Sequence, residues 1–193
     1  MKHLLFVLIC SISTITLAQS IDLKLLDKLN GPVQPIDKPW QILSHTVTPV
    51  TISTPVSMFI TGCVTHDNNL RIQSYNTAVS ILFANALTTT LKFSVKRPRP
   101  FDTYPDLIYK KGTGGPLSFP SGHTTNAFAT ATSLSLAFPR WYVIVPSYTY
   151  AIAIGYSRMY LGMHYPSDVI VGALIGIGAS FLTFQTQKWI TAP

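Results

Sequence analysis

Five stretches of the chain contain no Asp, Glu, Lys or Arg, and this pattern restricts the possible folds more than any other feature. They are 45–65, 72–91, 124–138, 141–157 and 169–187. A helix needs about 20 apolar residues to cross a bilayer, whereas the third and fourth stretches are shorter and the second is rich in Ser, Thr and Asn. The pattern favours an all-α bundle of about five or six helices embedded in a membrane, with a compact soluble bundle as the alternative.

The composition agrees with a membrane setting and restricts the partners. Charged residues make up 11% of the chain, against about a quarter in soluble domains. Gly172, Gly176 and Gly178 fall inside the fifth stretch, at a spacing that suits close contact between helices in a bilayer. The net charge of +7 favours anionic partners. Because no nucleic-acid-binding motif is visible, nucleic acid is not expected among them.

The N-terminus has the pattern of an export signal. The basic residue Lys2 precedes an apolar stretch, and the small residue Ala18 after it resembles a cleavage site. We therefore expect a signal peptide at 1–18 and a single domain at 19–193, with an uncleaved first membrane span as the alternative for the first segment. Cleavage would leave Cys63 without another cysteine, so no disulfide within the chain is expected.

A short amphipathic helix is predicted after this segment. Its apolar positions are Leu23, Leu25, Leu26 and Leu29. The sequence Asn30-Gly31-Pro32 ends it, because glycine and proline interrupt helices. Such a helix suits the membrane surface.

Three polar clusters interrupt the apolar pattern where neighbouring helices begin or end. The first contains Lys92, Arg99 and Pro100, the second is Pro120-Ser121-Gly122-His123, and the third contains Ser157, Arg158, His164 and Asp168. Each cluster alone is compatible with an ordinary structural role, such as a helix-end cation, a helix cap or an interfacial histidine. If successive helices alternate in direction, however, all three clusters meet on one face of the bundle.

Together the clusters resemble the three-part signature of the type 2 phosphatidic acid phosphatase superfamily, which runs K-x6-R-P, then P-S-G-H, then S-R-x5-H-x3-D. Every fixed position is filled, in the right order and at the right internal spacing, between Lys92 and Asp168. The family includes lipid phosphatases, bacterial acid phosphatases and vanadium-dependent haloperoxidases, although the haloperoxidases are much larger chains. The resemblance implies a phosphatase that needs no metal and no cofactor.

The resemblance also implies a role for each residue of the signature. His164 would attack phosphorus and form a phosphohistidine, Asp168 would accept its other ring N–H, and His123 would protonate the leaving oxygen and then activate water. The residues implied to bind phosphate through cations or helix N-terminal donors are Lys92, Arg99, Ser121, Gly122 and Arg158. Metal binding by the two histidines is disfavoured, because no third ligand has a suitable spacing and the neighbouring cations would repel a metal ion.

The leading functional prediction is hydrolysis of a lipid phosphate or diphosphate, with undecaprenyl diphosphate, phosphatidylglycerophosphate, phosphatidic acid and lipid A as candidate substrates. A soluble periplasmic acid phosphatase is the alternative. A non-catalytic module that binds phosphate or lipid is more remote, since binding alone would not need the histidines. The expected location is a bacterial inner membrane with the active site facing the periplasm. Arg71, Arg140 and Lys188 would then lie on the cytoplasmic side, in line with the positive-inside rule.

Overall fold

A computed structural model of the chain describes residues 21–191, and within this range the regular structure is helical apart from one isolated bridge between Pro98 and Leu117. The helices are α1 (21–29), α2 (Asp37–His45), α3 (Val47–Val64), α4 (Asn68–Val95), α5 (Pro100–Thr103), α6 (Gly122–Ala137), α7 (Trp141–Tyr160) and α8 (Pro166–Thr191). The predicted signal peptide at 1–18 and its boundary lie outside the described residues.

Local sequence explains where the long helices begin and end. Asp67 caps α4, because its Oδ1 accepts a first-turn N–H at 3.0 Å. The same helix is followed by Lys96, whose φ of 50° leaves the helical region, and Pro98 prevents the helix from resuming. Pro166 is the first residue of α8, a position at which proline costs no hydrogen bond.

Five long helices form the bundle, and α6 contacts each of the other four, α3, α4, α7 and α8. Ser133 donates a hydrogen bond to Ser180 across the α6–α8 interface at 3.1 Å, and Thr88 donates to Thr125 across the α4–α6 interface at 3.1 Å. Large apolar side chains such as Leu174, which is 62% exposed, point outward instead. Small and hydroxylated residues inside, with large apolar residues outside, are the arrangement expected of a bundle surrounded by lipid.

Two of the three glycines predicted to lie at helix contacts do so, between α6 and α8. A β-carbon at Gly176 would lie 2.5 Å from the carbonyl oxygen of Thr125, and one at Gly172 would lie 2.7 Å from the carbonyl oxygen of Ser121. A β-carbon at Gly178, in contrast, would meet no atom within 4 Å. The close approach sets the distance between the start of α6 and the start of α8, where two of the polar clusters lie.

Three helical segments of the described chain are long and apolar enough to cross a membrane: Asp37–Val64, Asn68–Val95 and Pro166–Ile190. The first combines α2 and α3. The central helix α6 is shorter, with 16 residues, and its neighbours surround it. The prediction of an all-α bundle is confirmed, and these three segments agree with the predicted membrane setting.

The predicted amphipathic helix near the N-terminus is confirmed as α1, which ends at residue 29. Leu26 is fully buried and packs with Ile108 and Tyr165, whereas Leu25 is exposed. The helix therefore docks on the connections between α5 and α6 and between α7 and α8, at the end of the bundle where the polar clusters meet.

Candidate active site

The candidate site lies at one end of the bundle, where four long helices begin or end. α4 ends just after Lys92, α6 carries His123 in its first turn, and α7 ends just after Arg158. α8 carries Asp168 in its first turn, and His164 lies in the connection that precedes it. The structure therefore brings the three predicted clusters together, through the alternating helix directions that the sequence predicts.

Arg99 lies at the centre of the site and is 4% exposed. Its Nε donates to the carbonyl oxygen of Gly115 at 2.8 Å, and its Nη1 donates to the carbonyl oxygen of Met163 at 2.6 Å. The same Nη1 lies 3.0 Å from Nε2 of His164. Gly114 makes room for this arrangement, because a β-carbon there would lie 2.8 Å from Nη2 of Arg99. The backbone thus fixes the guanidinium plane with one edge facing the imidazole.

The contact with Arg99 determines the tautomer of His164. A guanidinium has donors only, so Nε2 must carry the free electron pair and the proton must lie on Nδ1. Nδ1 is 3.6 Å from Oδ2 of Asp168, too long for a hydrogen bond, and it has no hydrogen-bond partner among the described residues. Burial, opposed by Asp168 and reinforced by Arg99, lowers the pKa of His164 to about 3. The imidazole is therefore neutral at pH 7, and its Nε2 electron pair accepts from Arg99 until a ligand replaces that contact.

Asp168 is fully buried beside His164 and is held by three donors. Nη1 of Arg97 donates to Oδ1 at 2.8 Å, and the backbone N–H of Tyr165 donates to Oδ2 at 2.9 Å. The hydroxyl of Ser118 also donates to Oδ2. These contacts fix the carboxylate on the Nδ1 side of the imidazole.

Arg158 is 2% exposed and is held by neutral acceptors. Its Nη1 donates to the hydroxyl oxygen of Ser44 at 2.5 Å, and its Nη2 donates to the carbonyl oxygen of Thr113 at 3.3 Å. Its Nε is buried without a hydrogen-bond partner among the described residues. These two contacts use two of the five N–H donors of a guanidinium, so donors that include Nε are left for a ligand.

Lys92 is also held by neutral acceptors, which belong to the loop that precedes α6. Its Nζ donates to the carbonyl oxygen of Leu117 at 3.2 Å and to that of Pro120 at 2.8 Å. An ammonium group has three donors, so one donor is not used by these two carbonyls. The side chain therefore links the end of α4 to the start of α6 and keeps its positive charge.

Ser121, Gly122 and His123 form the start of α6. The backbone N–H of Ser121 donates to the carbonyl oxygen of Asp168 at 3.0 Å, and its hydroxyl contacts Oγ1 of Thr124 at 2.9 Å. Gly122 and His123 are half-buried in the first turn. N–H groups in a first helical turn have no partner within the helix, so this end of α6 can donate to an anion.

The arrangement suits a phosphate group. Lys92, Arg99 and Arg158 place three positive charges next to the first turn of α6, and the charges of the two arginines act on the rings of both His123 and His164. In the part of the chain that the structure describes, no three His, Cys, Asp or Glu side chains come together as metal ligands would. Phosphate oxygens are the ligands that such a group of cations prefers.

The family model described as PAP2 superfamily matches residues 75–192, which is more than half of the chain. The chain belongs to the PAP2 superfamily. The family resemblance carried by the three clusters is thereby confirmed. All of the signature residues lie inside the matched segment, whereas α1, α2 and α3 precede it.

Curated relatives of this PAP2 member are named as lipid phosphatases. It is 36% identical over 114 residues to the undecaprenyl-diphosphatase of Sulfolobus acidocaldarius, a match that covers 57% of this chain and 53% of the relative. It is 31% identical over 121 residues to the lipid A 4'-phosphatase of Bacteroides thetaiotaomicron, which covers 60% of this chain and 54% of the relative. The chain thus spans about half the length of these curated relatives.

The crystal structure of LpxE from Aquifex aeolicus is also similar. The two chains superpose with a TM-score of 0.70 at 28% sequence identity, and the similarity covers 84% of this chain and 94% of that one. The similarity therefore extends well beyond the segment that carries the PAP2 signature.

Two residues that contact Asp168 were not predicted as part of the site. Arg97 and Ser118 both donate to its carboxylate, but neither belongs to the fixed positions of the PAP2 signature. A buried carboxylate is almost always paired with a cation, so Arg97, which lies between Lys92 and Arg99 in the first cluster, could have been found from that rule. Ser118 carries no such signal in the sequence.

Proposed function

We propose that this PAP2 member is a metal-independent phosphatase that hydrolyses a lipid phosphate or diphosphate through a phosphohistidine on His164. The observation that carries the proposal is the 3.0 Å contact between Nη1 of Arg99 and Nε2 of His164. Because the arginine can only donate, a phosphate oxygen that takes over this donor from Nε2 would free the electron pair and place phosphorus next to it. The same side chain would then orient the nucleophile and the group that it attacks.

In the first step, Nε2 of His164 forms a bond to phosphorus while the bond from phosphorus to the leaving oxygen breaks. In the free site, burial and the nearby Arg158 and Arg99 lower the pKa of His123 to about 3. The negative charge of a bound phosphate opposes these cations and raises that pKa, so that His123 can carry the proton that it transfers to the leaving oxygen. Lys92, Arg99 and Arg158 neutralise the phosphoryl oxygens, which carry the negative charge in the transition state. The first products are a phosphohistidine and the dephosphorylated alcohol or the shortened lipid phosphate.

Asp168 stabilises this intermediate. As positive charge develops on His164, the proton on Nδ1 is drawn towards Oδ2, and the separation of 3.6 Å shortens, since catalytic hydrogen bonds are often long in the free enzyme. In the second step, His123 removes a proton from water, the water oxygen bonds to phosphorus, and the phosphorus–nitrogen bond breaks. Inorganic phosphate leaves, Nε2 regains its electron pair, and His123 is protonated again.

The membrane-spanning helices and the names of the relatives support a lipid substrate. The catalytic face is built from the ends of helices that can cross a membrane, and the relatives are named for undecaprenyl diphosphate and lipid A. These two are the first substrates to test, together with phosphatidylglycerophosphate and phosphatidic acid. The proposed location is a bacterial inner membrane with the active site facing the periplasm.

The distribution of basic residues supports this orientation. Arg71 near the start of α4, Arg140 before α7 and Lys188 near the end of α8 lie at the helix ends opposite to the site. Basic residues concentrate on the cytoplasmic side of membrane proteins. The site end of the bundle would then face the periplasm.

Cysteine labelling tests the orientation. In a variant without the natural cysteines, Asp106→Cys in the exposed loop at the site end should react with a membrane-impermeant maleimide in intact spheroplasts. Asn69→Cys, exposed at the start of α4, should react only after lysis. The reverse order of labelling would overturn the proposed orientation.

Phosphate release from a panel of lipid phosphates, with EDTA present, tests the activity. His164→Ala should abolish turnover, and His123→Ala should lower it by about 10²- to 10⁴-fold, the usual effect of losing an acid–base group. His66→Asn is the matched control, because His66 is exposed at the far end of the bundle with a φ of 54°, which asparagine tolerates. Turnover that EDTA removes, or that His164→Ala retains, would rule out the proposed mechanism.

A further inference from the structure

Helix α1 lies outside the segment matched by the PAP2 family, yet one of its faces is docked on the candidate site. Asp22 and Leu26 are four residues apart and so lie on one side of the helix, and Asn30, four residues further on, directly follows its last residue. Leu26 is 0% exposed, and Asp22 and Asn30 are each 7% exposed. Burial of an acid and an amide at both ends of an otherwise amphipathic helix indicates specific polar contacts, because such groups are rarely buried without partners.

Asp22 makes these contacts with the start of α8 and with the first cluster. Its Oδ1 accepts the backbone N–H of Ser167 at 3.0 Å, and its Oδ2 accepts the hydroxyl of Ser167. The same Oδ2 accepts Nη2 of Arg97 at 2.9 Å. Asp22 therefore satisfies an N–H in the first turn of α8, which has no partner within the helix, and neutralises an arginine.

Arg97 transmits this contact to Asp168. While Nη2 binds Asp22, Nη1 donates to Oδ1 of Asp168 at 2.8 Å and to the hydroxyl of Ser167 at 2.8 Å. Its guanidinium also lies over the ring of Tyr165, with 3.8 Å from Cζ to the ring centroid. The planar fork of arginine can hold two carboxylates in fixed relative positions, so the position of Asp168 depends on Asp22.

Asn30 fixes the other end of α1. Its Nδ2 donates to the carbonyl oxygen of Tyr160 at 2.9 Å and to that of Tyr109 at 3.1 Å, and its Oδ1 accepts the N–H of Tyr109 at 2.7 Å. These three hydrogen bonds set the position of α1 along the site. Asp22 is thereby held at the place where it meets Arg97.

We propose that Asp22 is a positioning residue, which acts through Arg97 to hold Asp168 at the correct distance from Nδ1 of His164. The inference rests on the proposed function, in which Asp168 stabilises the cationic phosphohistidine. A segment outside the family-matched region would then contribute to catalysis in this chain without touching the substrate. Its loss should lower kcat and leave KM nearly unchanged, because none of its contacts involves the phosphate-binding cations.

The test compares Asp22→Asn with Asp27→Asn in the full-length protein, with EDTA present. Both variants remove one negative charge from α1, but Asp27 is exposed and is the matched control. Asp22→Asn should lower kcat by about 10- to 100-fold, the range expected when a reacting group is displaced by about 1 Å, with KM within about threefold of wild type. Asp27→Asn should leave both constants unchanged. Equal kcat values for the two variants, at equal melting temperature, would overturn the proposal.

A double-mutant cycle with Arg97→Lys separates positioning from a general structural role. Lysine keeps the charge but lacks the planar fork, so Arg97→Lys should lower kcat in the same way. In that background, Asp22→Asn should cost less than about threefold more, because the two residues act in series. Full additivity in kcat would overturn the proposal. If His164→Ala is inactive while Asp22→Asn behaves like the control, only this inference fails; if His164→Ala stays active, the proposed function fails.

Discussion

Replacing Arg99 by lysine isolates the geometry of the cation from its charge. Lysine keeps one positive charge but is a point charge on a flexible stem, whereas arginine has a rigid fork of donors. Arg99 uses that fork to contact the carbonyl oxygens of Gly115 and Met163 and Nε2 of His164, at 2.8, 2.6 and 3.0 Å respectively. The single ammonium group of a lysine side chain at this position cannot reach all three of these partners, so at least two of the contacts should be lost.

The size of the effect follows from these contacts. Without these contacts the cation is no longer held towards the phosphate. A hydrogen bond that involves a charged group contributes about 1.5–3 kcal/mol, so loss of two such bonds to the phosphoryl oxygens corresponds to roughly 3–6 kcal/mol. Since about 1.4 kcal/mol changes a rate or an equilibrium tenfold, Arg99→Lys should lower kcat/KM by about 10²- to 10⁴-fold. The two carbonyl oxygens left without a donor should also lower the apparent melting temperature, because buried unsatisfied groups cost about 1–3 kcal/mol each.

The assay is the steady-state release of phosphate from a lipid phosphate in detergent, normalised to folded protein by size-exclusion chromatography. Arg140→Lys is the matched control, because Arg140 is exposed at the opposite end of the bundle. If Arg99→Lys keeps kcat/KM within about threefold of the control, then charge alone is sufficient and the argument from the guanidinium fork is refuted.

Three further results are expected. Gly176→Ala should lower the melting temperature and kcat, because the added β-carbon would lie 2.5 Å from a backbone oxygen of α6. Gly178→Ala is the control and should change neither quantity, because a β-carbon there faces open space. Equal effects of the two variants would contradict the predicted helix contact at Gly176. Lys111→Met should destabilise the fold by about 3–5 kcal/mol, because Asp37, whose carboxylate lies 3.0 Å from the ammonium group of Lys111, would lose its ion-pair partner. Adding Asp37→Asn to that variant should restore part of the free energy of unfolding, measured by chemical denaturation. The pKa of His164 is about 3 in the folded state and about 6.5 when unfolded. Between these values the unfolded state binds more protons, so stability falls as the pH drops from 6.5 to 3. His164→Asn should flatten that dependence of melting temperature on pH, and an unchanged curve would contradict the lowered pKa.

The sequence was sufficient to predict which residues converge, because convergence follows from helix order. The five charge-free stretches locate the long helices. The polar clusters lie where α4 and α7 end and where α6 and α8 begin, and these ends share one face of the bundle. The position of His164 before α8 was also predictable, since Pro166 between it and Asp168 favours a helix start at that point. The family signature adds the residues expected to bind phosphate, and the structure places all of them at one end of the bundle.

The partners of those residues were not predictable from spacing. Asp22 meets Arg97 across 75 positions of sequence and Asp37 meets Lys111 across 74, and nothing local to either acid indicates its partner. Such pairs depend on how the helices pack, which the hydrophobic pattern constrains only coarsely. The rule that a buried acid needs a cation narrows the choice but does not select the partner.

The basic residues around the site divide into two groups with different counter-charges. Arg97 and Lys111 are neutralised by carboxylates. Lys92, Arg99 and Arg158 have no carboxylate within ion-pair distance among the described residues, and carbonyl or hydroxyl oxygens hold them instead. Neutral acceptors orient these three cations without cancelling their charge. The full charge is therefore available to an anion, which is the requirement for binding phosphate tightly in a polar site.

This division predicts the effect of adding a carboxylate to the second group. Ser44→Asp would place a negative charge at Nη1 of Arg158, which now donates to the hydroxyl of Ser44 at 2.5 Å. The carboxylate would compete with phosphate for that guanidinium, and loss of one charged hydrogen bond to the ligand, about 1.5–3 kcal/mol, should raise KM and the inhibition constant of inorganic phosphate by about 10- to 100-fold. Ser44→Asn has nearly the same shape without the charge and should raise them far less. Equal effects of the two variants would mean that the fit around Ser44, and not the unneutralised charge of Arg158, determines phosphate binding.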